Sequence, residues 1–286
     1  MTKNYREVYY TSSDGLKLYA RDYPNDNAKK TVLCLHGFTR NSADFAVLCE
    51  HLRKDYRLIV PDQRGRGLSE YDKNTVNYNP AVYVQDMFTL LNEMDVTKVD
   101  IVGTSMGGVI GMTMAAMNPP LVAGLVLNDV GPEINAEGLQ RVVDYLGNNP
   151  TFASWDEAVA YAKDVNAIAY PKYTDAQWQG LCRNMFVESE DGSVCAAYDS
   201  GVADPHKGFV AKEADLNAWP LFSATLSTQY LVIRGELSDI LSSAVLEKMA
   251  EYENVVKTIE LKEIGHAPML DEPEAIDAIQ EFLARN

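Results

Sequence analysis

The chain has 286 residues, 47% of them hydrophobic and 23% charged, enough apolar material for one large core, or one core with a small accessory domain, and too little charge bias for disorder. A formal net charge of −16 repels phosphate backbones and anionic lipid surfaces, which argues against nucleic-acid or membrane partners and favours solubility. Met1 to Glu7 lacks the apolar run of a secretory signal, and no stretch reaches the roughly 20 apolar residues of a membrane helix. Cys34, Cys49, Cys182 and Cys195 lack metal-type or redox-type spacing, so a reduced, cytoplasmic setting is expected.

Two short alternating segments, Glu7–Thr11 and Leu16–Tyr23, flank Ser13-Asp14-Gly15 and predict a hairpin. Thr31–Leu35 is then a continuous apolar run, too short for a helix, and reads as a strand buried on both faces. The texture returns at Tyr56–Val60, Val99–Val102, Ala123–Leu127, Tyr230–Ile233 and Val255–Leu261. Helical patterns at Ala43–Arg53, Ala81–Met94, Met106–Met117, Ser242–Tyr252 and Pro273–Arg285 separate or follow these runs. Strand alternating with helix predicts an α/β fold with a mostly parallel sheet covered on both faces. Residues 132–220 interrupt the alternation with helical patterns alone, at Ala136–Leu146, Trp155–Ala169 and Thr174–Glu188. They are expected to form a helical cap over a core made of residues 1–131 and 221–286.

Ligands in open α/β sheets bind beyond the carboxyl ends of the strands, so the residues after each apolar run matter most. Gly103-Thr104-Ser105-Met106-Gly107 is a G-x-S-x-G string that chance supplies about 0.1 times in such a chain. Its place between a buried strand and a helix gives it meaning, because a serine on so sharp a turn exposes its hydroxyl. The hydroxyl needs a base. Of four histidines, His51 lies in a charged helix, His206 in the insertion, and His36 at a strand end where a hydrogen-bonding role fits. His266, in the loop after the last strand, is the preferred base.

Two carboxylates compete to orient it, Asp129 after the fourth run and Asp239 after the fifth. The order Ser, Asp, His permits both. Asp239 is preferred because its strand should neighbour the one before His266, which leaves Asp129 as a pocket or structural residue. The oxyanion donors are expected to be the backbone N–H groups of Met106 and Phe38. No H-E-x-x-H, P-loop or dinucleotide fingerprint occurs, so neither a metal nor a cofactor is implied.

With H-G-F at 36–38, P-D-x-R-G-x-G at 61–67, G-x-S-M-G-G at 103–108, G-x-x-S-D at 235–239 and G-H-x-P-x-L-x-E-P at 265–273, the chain resembles the α/β-hydrolase superfamily over nearly its whole length. The resemblance implies an eight-stranded sheet, a cap between strands six and seven, and a triad at Ser105, Asp239 and His266. Asp62 and Arg64 match structural turn residues of that family. The enzyme implied is a serine hydrolase, first an ester hydrolase acting on a small to medium, largely apolar substrate. The alternatives are a lactonase or carbon–carbon bond hydrolase of aromatic degradation, related to the hydrolases of meta-cleavage products, and a binding protein that has lost turnover. A carbon–carbon hydrolase would need a basic group for its anionic substrate, for which Arg40, Arg183 and Lys172 are candidates. Aromatic residues crowd the insertion, and Trp155 is expected among those facing the pocket.

Overall fold

The computed structural model describes residues 4–212 and 217–285. The first three residues of the polar N-terminal segment, residues 213–216 of the insertion and Asn286 lie outside them. The predicted hairpin is β1 (Arg6–Thr11) and β2 (Lys17–Tyr23), antiparallel from Arg6 opposite Asp22 to Thr11 opposite Lys17. Then come β3 (Thr31–Leu35), α1 (Ala46–Leu52), β4 (Arg57–Asp62), α2 (Pro80–Glu93), β5 (Val99–Thr104), α3 (Met106–Met117) and β6 (Val122–Asn128). The insertion contributes α4 (Ala136–Tyr145), β7 (Thr151–Phe152), α5 (Trp155–Asn166), α6 (Asp175–Met185), β8 (Phe186–Glu188) and β9 (Val194–Ala196). The chain closes with α7 (Trp219–Ser223), β10 (Gln229–Gly235), α8 (Ser243–Ala250), β11 (Val255–Leu261) and α9 (Pro273–Arg285).

Eight strands form one sheet in the order β1-β2-β4-β3-β5-β6-β10-β11. Only β1 with β2 and β2 with β4 run antiparallel. Alternation explains why the inner strands read as unbroken apolar runs. Leu33 and Leu35 point into the cluster with Ile101 and Leu125, while Val32 and Cys34 point into the one with Val102 and Val126. Each such buried aliphatic side chain contributes roughly 1.5–3 kcal/mol, so a polar residue on either face of β3 would be costly.

The insertion departs from expectation. Its helices form, and α6 begins with a capping box in which Thr174 and Gln177 satisfy each other's backbone. But β7, β9 and β8 form a three-stranded antiparallel sheet, so the segment is not purely helical. The predicted helix over 174–188 ends at Met185, where Phe186 and Val187 turn to pair with Ala196 and Cys195. Strands of two or three residues are too short to leave a periodic signal. The predicted boundary at 220 also falls inside α7, whose Trp219 and Phe222 pack on Tyr252, with Phe222 also against Tyr230. The four cysteines are free. Among the described residues no helix is long and apolar enough to cross a membrane.

Candidate active site

Ser105 stands where β5 turns into α3, with φ 51° and ψ −116°. A non-glycine residue there is strained by about 1–3 kcal/mol, and surrounding bonds hold it. Its N–H donates to the Asn128 carbonyl at 2.9 Å, and its own carbonyl accepts from the Gly108 N–H at 2.9 Å. Two glycines let the turn form. A Cβ on Gly107 would stand 2.0 Å from the Leu35 carbonyl oxygen, and one on Gly103 2.5 Å from the Gly107 oxygen. The G-x-S-x-G spacing therefore encodes main chain packed on main chain.

Ser105 Oγ lies 3.0 Å from His266 Nε2, and the opposite ring nitrogen, Nδ1, lies 2.7 Å from Asp129 Oδ2. A carboxylate can only accept, so Nδ1 carries the hydrogen and the Nε2 lone pair faces the serine hydroxyl. That is the arrangement in which imidazole takes the serine proton. Asp129 is fully withdrawn from solvent. Its charge is met by the Gly235 N–H at 2.9 Å and the Ser238 hydroxyl at 2.7 Å, besides His266. Asn128, missed in the sequence, donates to Thr104 Oγ1 and to the Pro268 carbonyl, fastening the ends of β5 and β6 to the His266 loop.

The preference for Asp239 is corrected by this geometry. Its carboxylate forms a two-pronged pair with Arg141 of α4, at 2.5 and 2.9 Å. Burial pushes its acidity down, but the Arg141 hydrogen bond and charge outweigh this and hold its pKa below the usual carboxylate value. Strand neighbourhood was a poor guide because β10 pairs with β11 on one side and with β6 on the other. Within the loop after β10 a single residue decides: Ser238 turns to Asp129 and Asp239 turns away to the insertion.

His36 is buried and lines the cavity wall. Its Nδ1 lies 2.7 Å from the Gly37 carbonyl, and its Nε2 accepts the Gln63 N–H at 3.0 Å. Burial, the largest influence, brings its pKa down to about 3, so it is a neutral structural hydrogen-bonding group. Met106 follows Ser105 and Phe38 lines the same cavity, where a Cβ on Gly37 would stand 3.8 Å from Ser105 Cβ. Among the described residues neither the Phe38 nor the Met106 N–H is paired with a protein acceptor. Asp62 and Arg64 lie away from the cavity. Asp62 accepts from the Ser42 and Leu68 N–H groups, and Arg64 is clasped by Asp14, Asp72 and Asp86.

The cavity over Ser105, counted together with its open mouth, spans about 1130 Å³ of empty space. The insertion supplies much of its wall, through Tyr145, Tyr161, Leu181, Met185, Phe186 and Tyr198. Trp155 is not part of it. Its indole donates to Glu188 and its ring lies under Arg183, because helical spacing reveals an apolar stripe but not which neighbour it meets. Tyr170 does line the cavity and donates at 2.6 Å to the Ala267 carbonyl beside His266. Among the described residues no cluster of three or more His, Cys, Asp or Glu side chains could hold a metal ion.

Comparison with known proteins agrees with this architecture. A family model described as alpha/beta hydrolase fold matches residues 30–273. The crystal structure of an alpha/beta hydrolase from Novosphingobium aromaticivorans superposes with a TM-score of 0.95 at 40% identity, covering all of both chains. The 3-hydroxybutyrate-oligomer hydrolase of Cupriavidus necator is 35% identical over 284 residues, 96% of each chain. The 2-(acetamidomethylene)succinate hydrolase of Mesorhizobium japonicum is 28% identical over 218 residues, 76% of this chain and 74% of that one. The chain belongs to the α/β-hydrolase family.

Proposed function

We propose that this hydrolase is a serine esterase whose triad is Ser105, His266 and Asp129, and that it cleaves short esters of hydroxy acids. The observation that carries the reading is the continuous line from Ser105 Oγ through His266 to buried Asp129, at 3.0 and 2.7 Å, beneath a largely apolar cavity. Ser105 attacks the ester carbonyl as His266 Nε2 takes its proton, and Asp129 stabilises the imidazolium that forms. The unpaired Phe38 and Met106 N–H groups, the second at the start of α3, are the donors offered to the oxyanion. His266 protonates the leaving alcohol, and water activated by the same imidazole releases the acid.

The substrate class draws on a relative. The 35% identical protein is named for 3-hydroxybutyrate oligomers, which are chains of short hydroxy acids joined by esters. Residues of the insertion roof the cavity, which favours short oligomers over a polymer strand. The test is a substrate panel of p-nitrophenyl esters, hydroxy-acid dimers, lactones and a ring-fission dienoate, run beside fluorophosphonate labelling. Labelling and ester turnover that both vanish in Ser105→Ala are expected. Dienoate cleavage without ester turnover would overturn the reading in favour of carbon–carbon hydrolysis, and an unlabelled wild type would favour a binding protein.

A further inference from the structure

The three basic side chains that could meet an acidic substrate are separated by their surroundings. Arg183 lies 3.6 Å over the Trp155 ring, and exposed Lys172 pairs with Glu263. Arg40 alone of the three lines the cavity. It shares a wall with the nucleophile: a Cβ on Gly37 would stand 3.6 Å from Arg40 Cγ and 3.8 Å from Ser105 Cβ. Its side chain is only 16% exposed, and the cavity also carries Tyr145 and Tyr170.

A guanidinium has five N–H groups in a rigid fork. Asp44 occupies one edge of this one, accepting from Nε at 2.7 Å and from Nη2 at 2.6 Å. The other three, two on Nη1 and one on Nη2, have no protein acceptor among the described residues. The Nη1–Nη2 end is therefore held in a fixed orientation by Asp44 and left without a protein acceptor among the described residues, on a side chain that is largely buried. A neutral carbonyl would use one of its N–H groups, whereas a carboxylate matches two at once.

We infer that Arg40 binds a free carboxylate of the substrate, so that the enzyme cuts the ester bond adjoining the acid end of a short oligoester. This rests on the ester-hydrolase reading. Ser105 Oγ bonds to the acyl carbon, and its proton passes through His266 to the departing alkoxide. That group leaves as a free hydroxy acid whose carboxylate is the one on Arg40. Water then adds to the acyl carbon, releasing Ser105 and an oligomer one unit shorter.

The test compares kcat/KM for an acid-terminated hydroxy-acid dimer with that for its methyl ester. The wild type is expected to favour the acid by about 10–100-fold, the range of a charge-assisted bidentate contact. The preference should fall towards one in the double variant Arg40→Gln/Asp44→Asn, which avoids stranding a buried charge. Calorimetric binding of the free hydroxy acid to Ser105→Ala, with and without the double change, reads the anchor without turnover. Binding at least tenfold weaker supports it. A wild type indifferent to the methyl ester, or hydroxy-acid binding untouched by the double change, overturns it. Failure of the ester reading shows separately, as loss of turnover on both dimers with the binding difference intact.

Discussion

Arg66 Nε donates a 2.9 Å hydrogen bond to the carbonyl of Phe38. The donor is itself immobilised, since Nη1 bonds the Arg64 carbonyl and the Tyr83 hydroxyl, and the guanidinium lies against the Phe38, Tyr78 and Tyr83 rings. A buried cation from the loop after β4 thus fixes the loop that presents the Phe38 N–H. Arg66→Lys keeps the charge and loses the fork. Because a misplaced oxyanion donor costs transition-state stabilisation rather than binding, kcat on p-nitrophenyl butyrate is expected to fall about 10–100-fold with KM little changed. Steady-state kinetics check this; a rise in KM at constant kcat would assign Arg66 to substrate binding.

Exchanging the two candidate acids separates them. Asp129→Asn preserves shape but lets the tautomer of His266 reverse, and kcat is expected to drop by about 10³–10⁴. Asp239→Asn only weakens a half-exposed ion pair with Arg141, which leaves kcat within about tenfold and stability within about 1 kcal/mol. The same kinetic assay on both variants decides, and the reverse ranking would return the acid's role to Asp239.

His36 makes stability depend on pH. Its folded pKa of about 3 lies below the unfolded value of 6.5, so below 6.5 the unfolded chain binds the extra proton. Stability from this group is complete above pH 6.5 and declines as pH falls towards 3, by about 2 kcal/mol between pH 7 and 5. Urea unfolding at the two pH values should show a loss of stability about 2 kcal/mol larger in the wild type than in His36→Leu. The variant is also expected to be about 1–3 kcal/mol less stable at pH 7, its Gln63 N–H left unpaired.

Two glycine-to-alanine changes should act in opposite directions. At Gly107 the new methyl meets the Leu35 carbonyl at 2.0 Å, which main chain cannot yield to, and folded protein is expected to be lost. At Gly180, within α6, a methyl meets nothing within 4 Å, and Gly180→Ala should stabilise by about 0.5–1 kcal/mol through helix propensity. Thermal melts measure both.

The eight main-sheet strands were legible because each is an apolar run or an alternating segment bounded by turn residues, and burial on both faces leaves little ambiguity in the inner ones. Ser105 and His266 were legible for a related reason: a strand end followed by a glycine-rich turn fixes where a side chain emerges. Asp129 was not, because strand order in space is set by pairing that the local sequence does not state, and because Ser238 and Asp239 differ by one position in one loop. The small sheet of the insertion and the outward place of Trp155 were hidden for a third reason. Short strands carry no period, and amphipathicity gives a helix a side without naming what lies there.

The packing of Gly103 against Gly107, and of Gly107 against Leu35, is contact between backbones. The position of Ser105 is consequently registered to the sheet itself and is independent of the side chains that furnish the chamber above it. The turn and the chamber are in that sense separately adjustable. The aromatic ceiling on α4, α5 and β8 is open to redesign for wider or more polar ligands, as a lens is changed in front of a fixed detector, while the geometry of Ser105 stays as the glycines define it.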